Sequence, residues 1–350
     1  MSETLTFKRL VYTNGSPMKL EEKTFSLPED LASDELIVKV NSAALNPVDL
    51  ILFHTSSYMF FKRGEKGIGR DFSGTVVAAG GEVKEYVKGD KVSGLYTPIY
   101  GEQGTVTEYL KLKPKDTPMG KIPSNLSLKE ASTFPLVFAT AVNTLRKFVV
   151  PDETSRVLVI GGATSVAQYV IQLLRQHHNA KSIVSVNSGS SAEFVKSLGA
   201  DHIIDYTKED VAKAASNIVK TEYDGAKFDL IIDCVGSNDL FPVIDEILKP
   251  KSEKAGYVTI VGDQIADYNK SMFSFFTSGT FAKFIPALRN YNYGFVSTAD
   301  DFYPLAKKLF EEGKLQTTID SSYPLQDYQK AFDRLATHKA RGKTVIEIEQ

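Results

Sequence analysis

The hydrophobic pattern changes period most sharply between Val157 and Leu174. Residues Val157 to Ile160 form an unbroken apolar run, as in a strand buried on both faces. Gly161, Gly162, Ala163, Thr164 and Ser165 follow as a turn of small residues. Beyond it Val166, Tyr169, Val170, Leu173 and Leu174 recur at the spacing of one buried helix face. The pattern therefore predicts a strand, a tight turn and a helix in direct succession.

The same alternation continues downstream. Lys181 to Val186 predicts a second strand, Ala192 to Leu198 a helix closed by Gly199, and His202 to Asp205 a third strand. Phe228 to Val235 and Gly256 to Val261 read as two more strands, ending at Gly236 and Gly262. Near-continuous apolar strands alternating with helical patterns predict a doubly wound parallel sheet covered on both faces. The first 125 residues differ. Leu36 to Val40 and Ser73 to Ala78 read as strands, and glycine turns recur at short intervals, the pattern of a β-rich, barrel-like domain. Ser127 with Glu130 fits a capping box at the start of the α/β region. Near the end, Asp300 to Gly313 and Leu325 to Leu335 predict helices and Lys343 to Ile348 a final strand.

A helix N-terminus leaves backbone N–H groups unpaired and carries partial positive charge, so a pyrophosphate fits over Gly161 to Val166 if the side chains there are small. Only Gly161 and Gly162 are glycines, and Thr164, Ser165 and Ala167 stand where a dinucleotide fingerprint usually has more. The competing reading is a connection that binds nothing. The second strand ends in Asn187, Ser188, Gly189, Ser190 and Ser191, with no acid before Glu193. A carboxylate at that place would favour the ribose 2′-OH of NADH and repel a 2′-phosphate, so its absence favours NADPH. Asn187, Ser188 and Ser190 are the expected phosphate ligands, although the run holds no Arg or Lys. A polar surface loop is the alternative.

At 350 residues the chain exceeds a single core and predicts two domains. A net charge of −2 gives no broad footprint for nucleic acid. No apolar stretch reaches the length that spans a bilayer, and the N-terminus lacks the pattern of a signal peptide. The single cysteine, Cys234, excludes an intrachain disulfide, suits a reducing compartment and falls in an apolar strand, where a buried, inert thiol is expected. A cytoplasmic location follows as an expectation. Met272 to Phe284 concentrates five phenylalanines. It reads as core, as the wall of an apolar cleft, as a subunit contact in a homodimer, or as a segment lying on a lipid droplet or mitochondrial surface.

The order of several short segments resembles the medium-chain dehydrogenase/reductase superfamily, in its quinone-oxidoreductase-like, zinc-independent branch. The segments are Ala44 to Asp49, Gly69 to Gly74, Val87 to Val92, Gly104 to Tyr109, Leu198 to Asp201, Asp233 to Gly236 and Gly342 to Val345. The resemblance covers almost the whole chain and is greatest to fungal and chloroplast-envelope-type relatives. It implies a GroES-like domain from residues 1–124 and 298–350, enclosing a Rossmann dinucleotide-binding domain at 125–297.

It also implies an NADPH-dependent reductase of quinones or α,β-unsaturated carbonyl compounds, working on a small-molecule substrate without metal. Zinc-dependent relatives carry Cys, His and an acid near Leu45 to Asp49 and Gly69 to Asp71; this sequence has one Cys and five scattered His, so no metal site is expected. By the same resemblance Asn46 lies beside the nicotinamide and donates to a carbonyl oxygen, and Tyr58 matches a proton-relaying tyrosine. Packing in the β domain is the other reading of Tyr58, and a structural role is favoured for Asp71. Thr140, Val235, Val261 and Gly262 border the nicotinamide end of the cofactor, and Lys343 lies near its phosphates or is a plain surface lysine. Reduction of saturated aldehydes or ketones is the alternative activity. A cofactor-binding, redox-responsive or lipid-surface protein with little turnover is the alternative class.

Overall fold

The computed structural model describes residues 3–58, 64–262, 264–265, 267–272 and 289–348. It divides into two compact units, one of residues 1–136, 268–272 and 300–350, the other of residues 137–267 and 273–299.

The first unit is β-rich. Its strands are β1 (Glu3–Tyr12), β2 (Lys19–Leu27), β3 (Leu36–Leu45), β4 (Lys66–Gly67), β5 (Asp71–Ala79), β6 (Lys91–Leu95), β7 (Tyr109–Leu112) and β8 (Met119–Lys121). β2, β1 and β4 form a small antiparallel sheet. A seven-stranded sheet runs through β3, β5, β6 and β8, with β7 also pairing with β3, and is completed from the far end of the chain by strands 319–324 and 343–347; the latter pairs antiparallel with β3, Val345 facing Ala44. Leu36, Val38, Phe72, Val76, Phe332 and Ile346 form part of one buried core. The first hairpin escapes the hydrophobic pattern because β2 is largely half-exposed and polar, with Phe25 its one buried residue.

The division at Leu136 falls beyond the sequence-based boundary at 124. The Ser127–Glu130 capping box is present, but the short helix it starts, Leu128–Ala131, packs onto β3, β5 and β6 and so stays with the β-rich unit. Helix α1 (Pro47–Ser56) directly follows β3.

The second unit holds β9 (Arg156–Ile160), β10 (Ser182–Asn187), β11 (His202–Asp205), β12 (Leu230–Asp233), β13 (Gly256–Thr259) and β14 (Asn292–Phe295). All are parallel, in the order β11-β10-β9-β12-β13-β14, which is a Rossmann sheet. The helix after β9, Ser165–Gln176, buries Val166, Tyr169, Val170, Leu173 and Leu174 as its stripe predicts. It also buries Gln168 and Gln172, each of whose amides donates to a backbone carbonyl, of Ala163 and Gln168 respectively. The predicted strands at Phe228 to Val235 and Gly256 to Val261 are shorter in the structure, because Cys234–Val235 and Ile260–Val261 already belong to the turns at their carboxyl ends.

Candidate functional site

Two clusters bring the sequence-predicted residues together, one in each unit. In the second, register brings four strand ends level: Ile160 lies beside Val186 and Asp233, and Asp233 beside Thr259. The residues that leave these ends are therefore neighbours along the carboxyl edge of the sheet, where open α/β sheets bind ligands.

The turn after β9 is built tightly. Gly161 sits at φ +82°, a conformation that side chains disfavour, and a Cβ there would press on Val235. The amides of Gly161 and Gly162 both donate to the carbonyl of Val186, at 2.8 and 3.3 Å. Gly162 faces inward: a Cβ would collide with the Ser185 hydroxyl and meet Val195 at 3.2 Å. A larger residue at 162 thus strikes the sheet, which corrects the sequence-based picture of this glycine as a clearance for the pyrophosphate alone. Thr164 caps the helix, its hydroxyl accepting from the Ala167 amide at 3.4 Å, and Ala163, Thr164 and Ser165 remain partly exposed around the turn while Val166 is buried.

The β10 end differs from expectation in one residue. Asn187 is buried, its side-chain oxygen accepting from Ser185 and its amide donating to the Ser188 carbonyl, so it anchors the loop rather than facing a ligand. Ser188 and Ser190 face each other at 3.0 Å between hydroxyls and are accessible.

At the β12 end sits a carboxylate that pattern alone does not reveal. Asp233 is fully buried and accepts from the amides of Val235, Gly236 and Ser237 at 2.8–3.0 Å and from the Tyr257 hydroxyl at 3.0 Å. Burial raises its pKa to about 6 despite these donors. The group fixes the Val235–Gly236 turn beside Gly161. Its signal in the sequence is an Asp followed within three positions by a glycine at a strand end, here Gly236 at φ +85°. Cys234 is buried, which pushes its thiol well up and leaves it inert, as expected. After β13 the Thr259 hydroxyl accepts from the amides of Val261 and Gly262, at 3.2 and 2.9 Å, and holds Gly262 at φ +122°. Thr140 lies buried on the helix Pro135–Arg146, with its carbonyl accepting from Thr144.

The cluster of the first unit is a buried polar network. Asn46, at the end of β3, is fully buried; its amide donates to Asp71 at 2.9 Å and to the Ala44 carbonyl at 3.3 Å. Both amide protons are thus committed, which removes the free donor that the sequence-based role for Asn46 requires. Lys343 Nζ donates to the Asn46 side-chain oxygen and to Asp71 at 3.1 Å. Lys343 is buried, so neither a surface lysine nor a phosphate ligand describes it. Asp71 also accepts from the Leu136 amide at 2.8 Å, in keeping with the structural role expected of it. Burial raises its pKa, opposed first by the Lys343 charge.

Asp49 accepts from the backbone N–H of Asn46 at 2.7 Å, and burial raises it to about 7. Tyr58 lies beyond α1, 58% exposed, its amide donating to Thr55. The buried network and this exposed phenol are separate in character. Of Met272 to Phe284 only Met272 lies within the described residues; its amide donates to the Thr55 hydroxyl at 2.9 Å. Among the described residues no helix is long and apolar enough to cross a membrane.

Comparison with known proteins places this architecture. Residues 32–124 match the model of the alcohol dehydrogenase GroES-like domain, and residues 198–346 that of a zinc-binding dehydrogenase. Protein YIM1 of Saccharomyces cerevisiae strain YJM789 is 35% identical over 362 aligned positions, covering 99% of both chains. Among solved structures, the quinone oxidoreductase from Coxiella burnetii superposes with a TM-score of 0.78 at 24% identity, over 99% of this chain and 100% of that one. The CurK enoyl reductase superposes with a TM-score of 0.77 at 20% identity, over 98% and 99%. Both share the fold described above.

Proposed function

From the premise that the chain belongs to the medium-chain dehydrogenase/reductase superfamily, we propose that it is a member of the quinone-oxidoreductase-like branch, an NADPH-dependent reductase of quinones or α,β-unsaturated carbonyl compounds. The observation that carries this reading is the glycine turn at the carboxyl edge of the parallel sheet, with Gly161 in the left-handed region and the N-terminus of a twelve-residue helix immediately behind it. The family binds a nicotinamide cofactor, and the helix that begins at Ser165 supplies first-turn amide donors of the kind a pyrophosphate takes. The quinone oxidoreductase and enoyl reductase neighbours support the substrate class, since both names describe hydride delivery to a conjugated acceptor.

When bound, the cofactor supplies the hydride. The backbone at Ala163, Ser165 and Val166 would hold its pyrophosphate, and Ser188 and Ser190 would hold the phosphate on its adenosine ribose. Val235, Val261 and Gly262, fixed by Asp233 and Thr259, would border its nicotinamide end together with Thr140. The proton that completes the reduction would come from the exposed Tyr58 or from solvent.

The residues present do not fit a zinc ion. Leu45 to Asp49 and Gly69 to Asp71 contain neither Cys nor His. Both Asp71 oxygens accept from protein donors, one of them the Lys343 ammonium. The reading is therefore metal-independent, with orientation and a dry site in place of a Lewis acid.

Calorimetric titration with NADPH and NADH, followed by turnover assays with a set of quinones and 2-alkenals, tests this. Tighter NADPH binding and activity on at least one conjugated acceptor are expected. Binding of neither nucleotide, or one tightly held zinc per chain by metal analysis, overturns the reading.

A further inference from the structure

The loop after β10 offers hydroxyls but no cation, and a 2′-phosphate brings roughly one and a half to two negative charges near neutral pH, as phosphate monoesters do. Hydroxyls alone leave that charge unbalanced. The structure brings a lysine to the same place from the next strand. Asn187 of β10 and Asp205 of β11 are register partners, so the loops that leave these two ends run side by side. The Asp205 carboxylate lies against Gly189, where a Cβ would collide with it, and it accepts a backbone hydrogen bond from that glycine. Lys208 Nζ stands 3.5 Å from the same carboxylate and 3.5 Å from the point a Gly189 Cβ would occupy. Its side chain is 79% exposed.

Resting on the NADPH reading above, we propose that Lys208 supplies the cation that recognises the cofactor's 2′-phosphate, completing a site with the Ser188 and Ser190 hydroxyls. Asp205 is the positioning residue. Its oxygens already accept from the Thr207 amide at 3.1 Å and the Thr207 hydroxyl at 2.6 Å, as well as from Gly189. Those donors hold it ionised, with its pKa below the usual carboxylate range; they take three of its roughly four lone-pair sites, and the Lys208 ammonium stands beside the remaining oxygen face, where a ribose 2′-OH would compete with it. A carboxylate at a neighbouring strand end therefore does not convert this loop to an NADH site. It tethers Gly189 and keeps the ammonium at the lip of the loop, from which a flexible, solvated lysine stem swings onto a phosphate.

The site is placed at the junction of two loops, and that explains why the run from Asn187 to Ser191 shows no basic residue. Glycine at 189 is part of the same arrangement, because any side chain there displaces the Asp205 carboxylate and with it the lysine.

The test is calorimetric binding of NADPH, NADH, 2′-phospho-AMP and 5′-AMP to the full chain and to Lys208→Met and Lys208→Arg. Lys208→Met should lose at least tenfold in affinity for NADPH and 2′-phospho-AMP, keep its affinity for NADH and 5′-AMP, and show a flatter salt dependence; Lys208→Arg should keep most of the preference. Wild-type preference for NADPH that Lys208→Met leaves unchanged overturns the role of Lys208 while the NADPH reading stands. Equal wild-type affinity for the two nucleotides, or none for either, overturns both.

Discussion

Lys343 and Asp71 form an ion pair at 3.1 Å with side-chain exposures of 4% and 0%, across 272 positions of sequence. Asn46 joins them, donating to the carboxylate and accepting from the ammonium. Two charges taken so far from water are tolerated because each pairs with the other and the Asn46 and Leu136 N–H groups also donate to the carboxylate.

Removing one partner should therefore be costly. Lys343→Met is expected to lose about 3–5 kcal/mol of unfolding free energy, since it strands a buried carboxylate. The double variant Lys343→Met with Asp71→Asn should recover much of that loss. Urea unfolding of the three proteins measures it; a double variant no more stable than Lys343→Met alone would contradict the pairing as the cause.

Asp49 gives the same unit a pH dependence. Its carboxyl is raised to about 7 by burial, against an ordinary value of 3.8. Between those values the folded chain holds a proton that the unfolded chain has released, so stability falls as pH rises through this window. The melting temperature should climb as pH is lowered from 7.5 to 5.5. Asp71 and Asp233 shift in the same direction, so the informative quantity is the difference from Asp49→Asn, whose profile should be flatter. Parallel profiles would show that Asp49 does not titrate there.

The Gly162–Ser185 contact predicts a size effect. Gly162→Ala brings a methyl group into the Ser185 hydroxyl and should cost about 1–3 kcal/mol by overpacking. Adding Ser185→Ala removes the colliding oxygen and leaves Ser185 Cβ at 3.2 Å, so part of the loss should return. No recovery in thermal unfolding would mean that the backbone, not the hydroxyl, sets the limit.

Tyr58 tests the proton source. At 58% exposure, Tyr58→Phe should change stability by less than about 0.5 kcal/mol, so any loss of turnover is chemical in origin. Reduction of an alkenal, which needs a proton on carbon or oxygen, should slow more than that of a quinone, whose reduced form water protonates readily. Equal rates for wild type and variant on both substrates would assign the proton to solvent.

Local pattern made much of this architecture legible. The apolar runs of β9, β10 and β12, the stripe behind Gly162 and the Ser127 capping box depend on neighbours in sequence, and each stands close to where the pattern predicts it. Contacts across the chain were beyond such reasoning. Lys343 is a lysine in a Gly-Lys-Thr-Val segment, and nothing near it reveals that Asp71 waits in a buried pocket. Asn187 has the composition of a ligand, but Ser185 two residues earlier donates to its side-chain oxygen and holds it inward. Lys208 escapes notice for the opposite reason, because its loop follows a different strand from the one whose residues suggest a phosphate site.

The closing of the seven-stranded sheet by the strand at 343–347 also sets an order of assembly. As the chain leaves the ribosome, the parallel sheet has all six of its strands once Phe295 has emerged, whereas β3 still lacks its outer neighbour and Asp71 its counter-ion. Since domains fold as units during synthesis, the half built on the parallel sheet completes first and the half that began earlier finishes last. A nascent chain halted before Lys343 leaves Asp71 without its counter-ion and β3 without its outer neighbour, so the β-rich unit becomes stable only when the strand at 343–347 is in place.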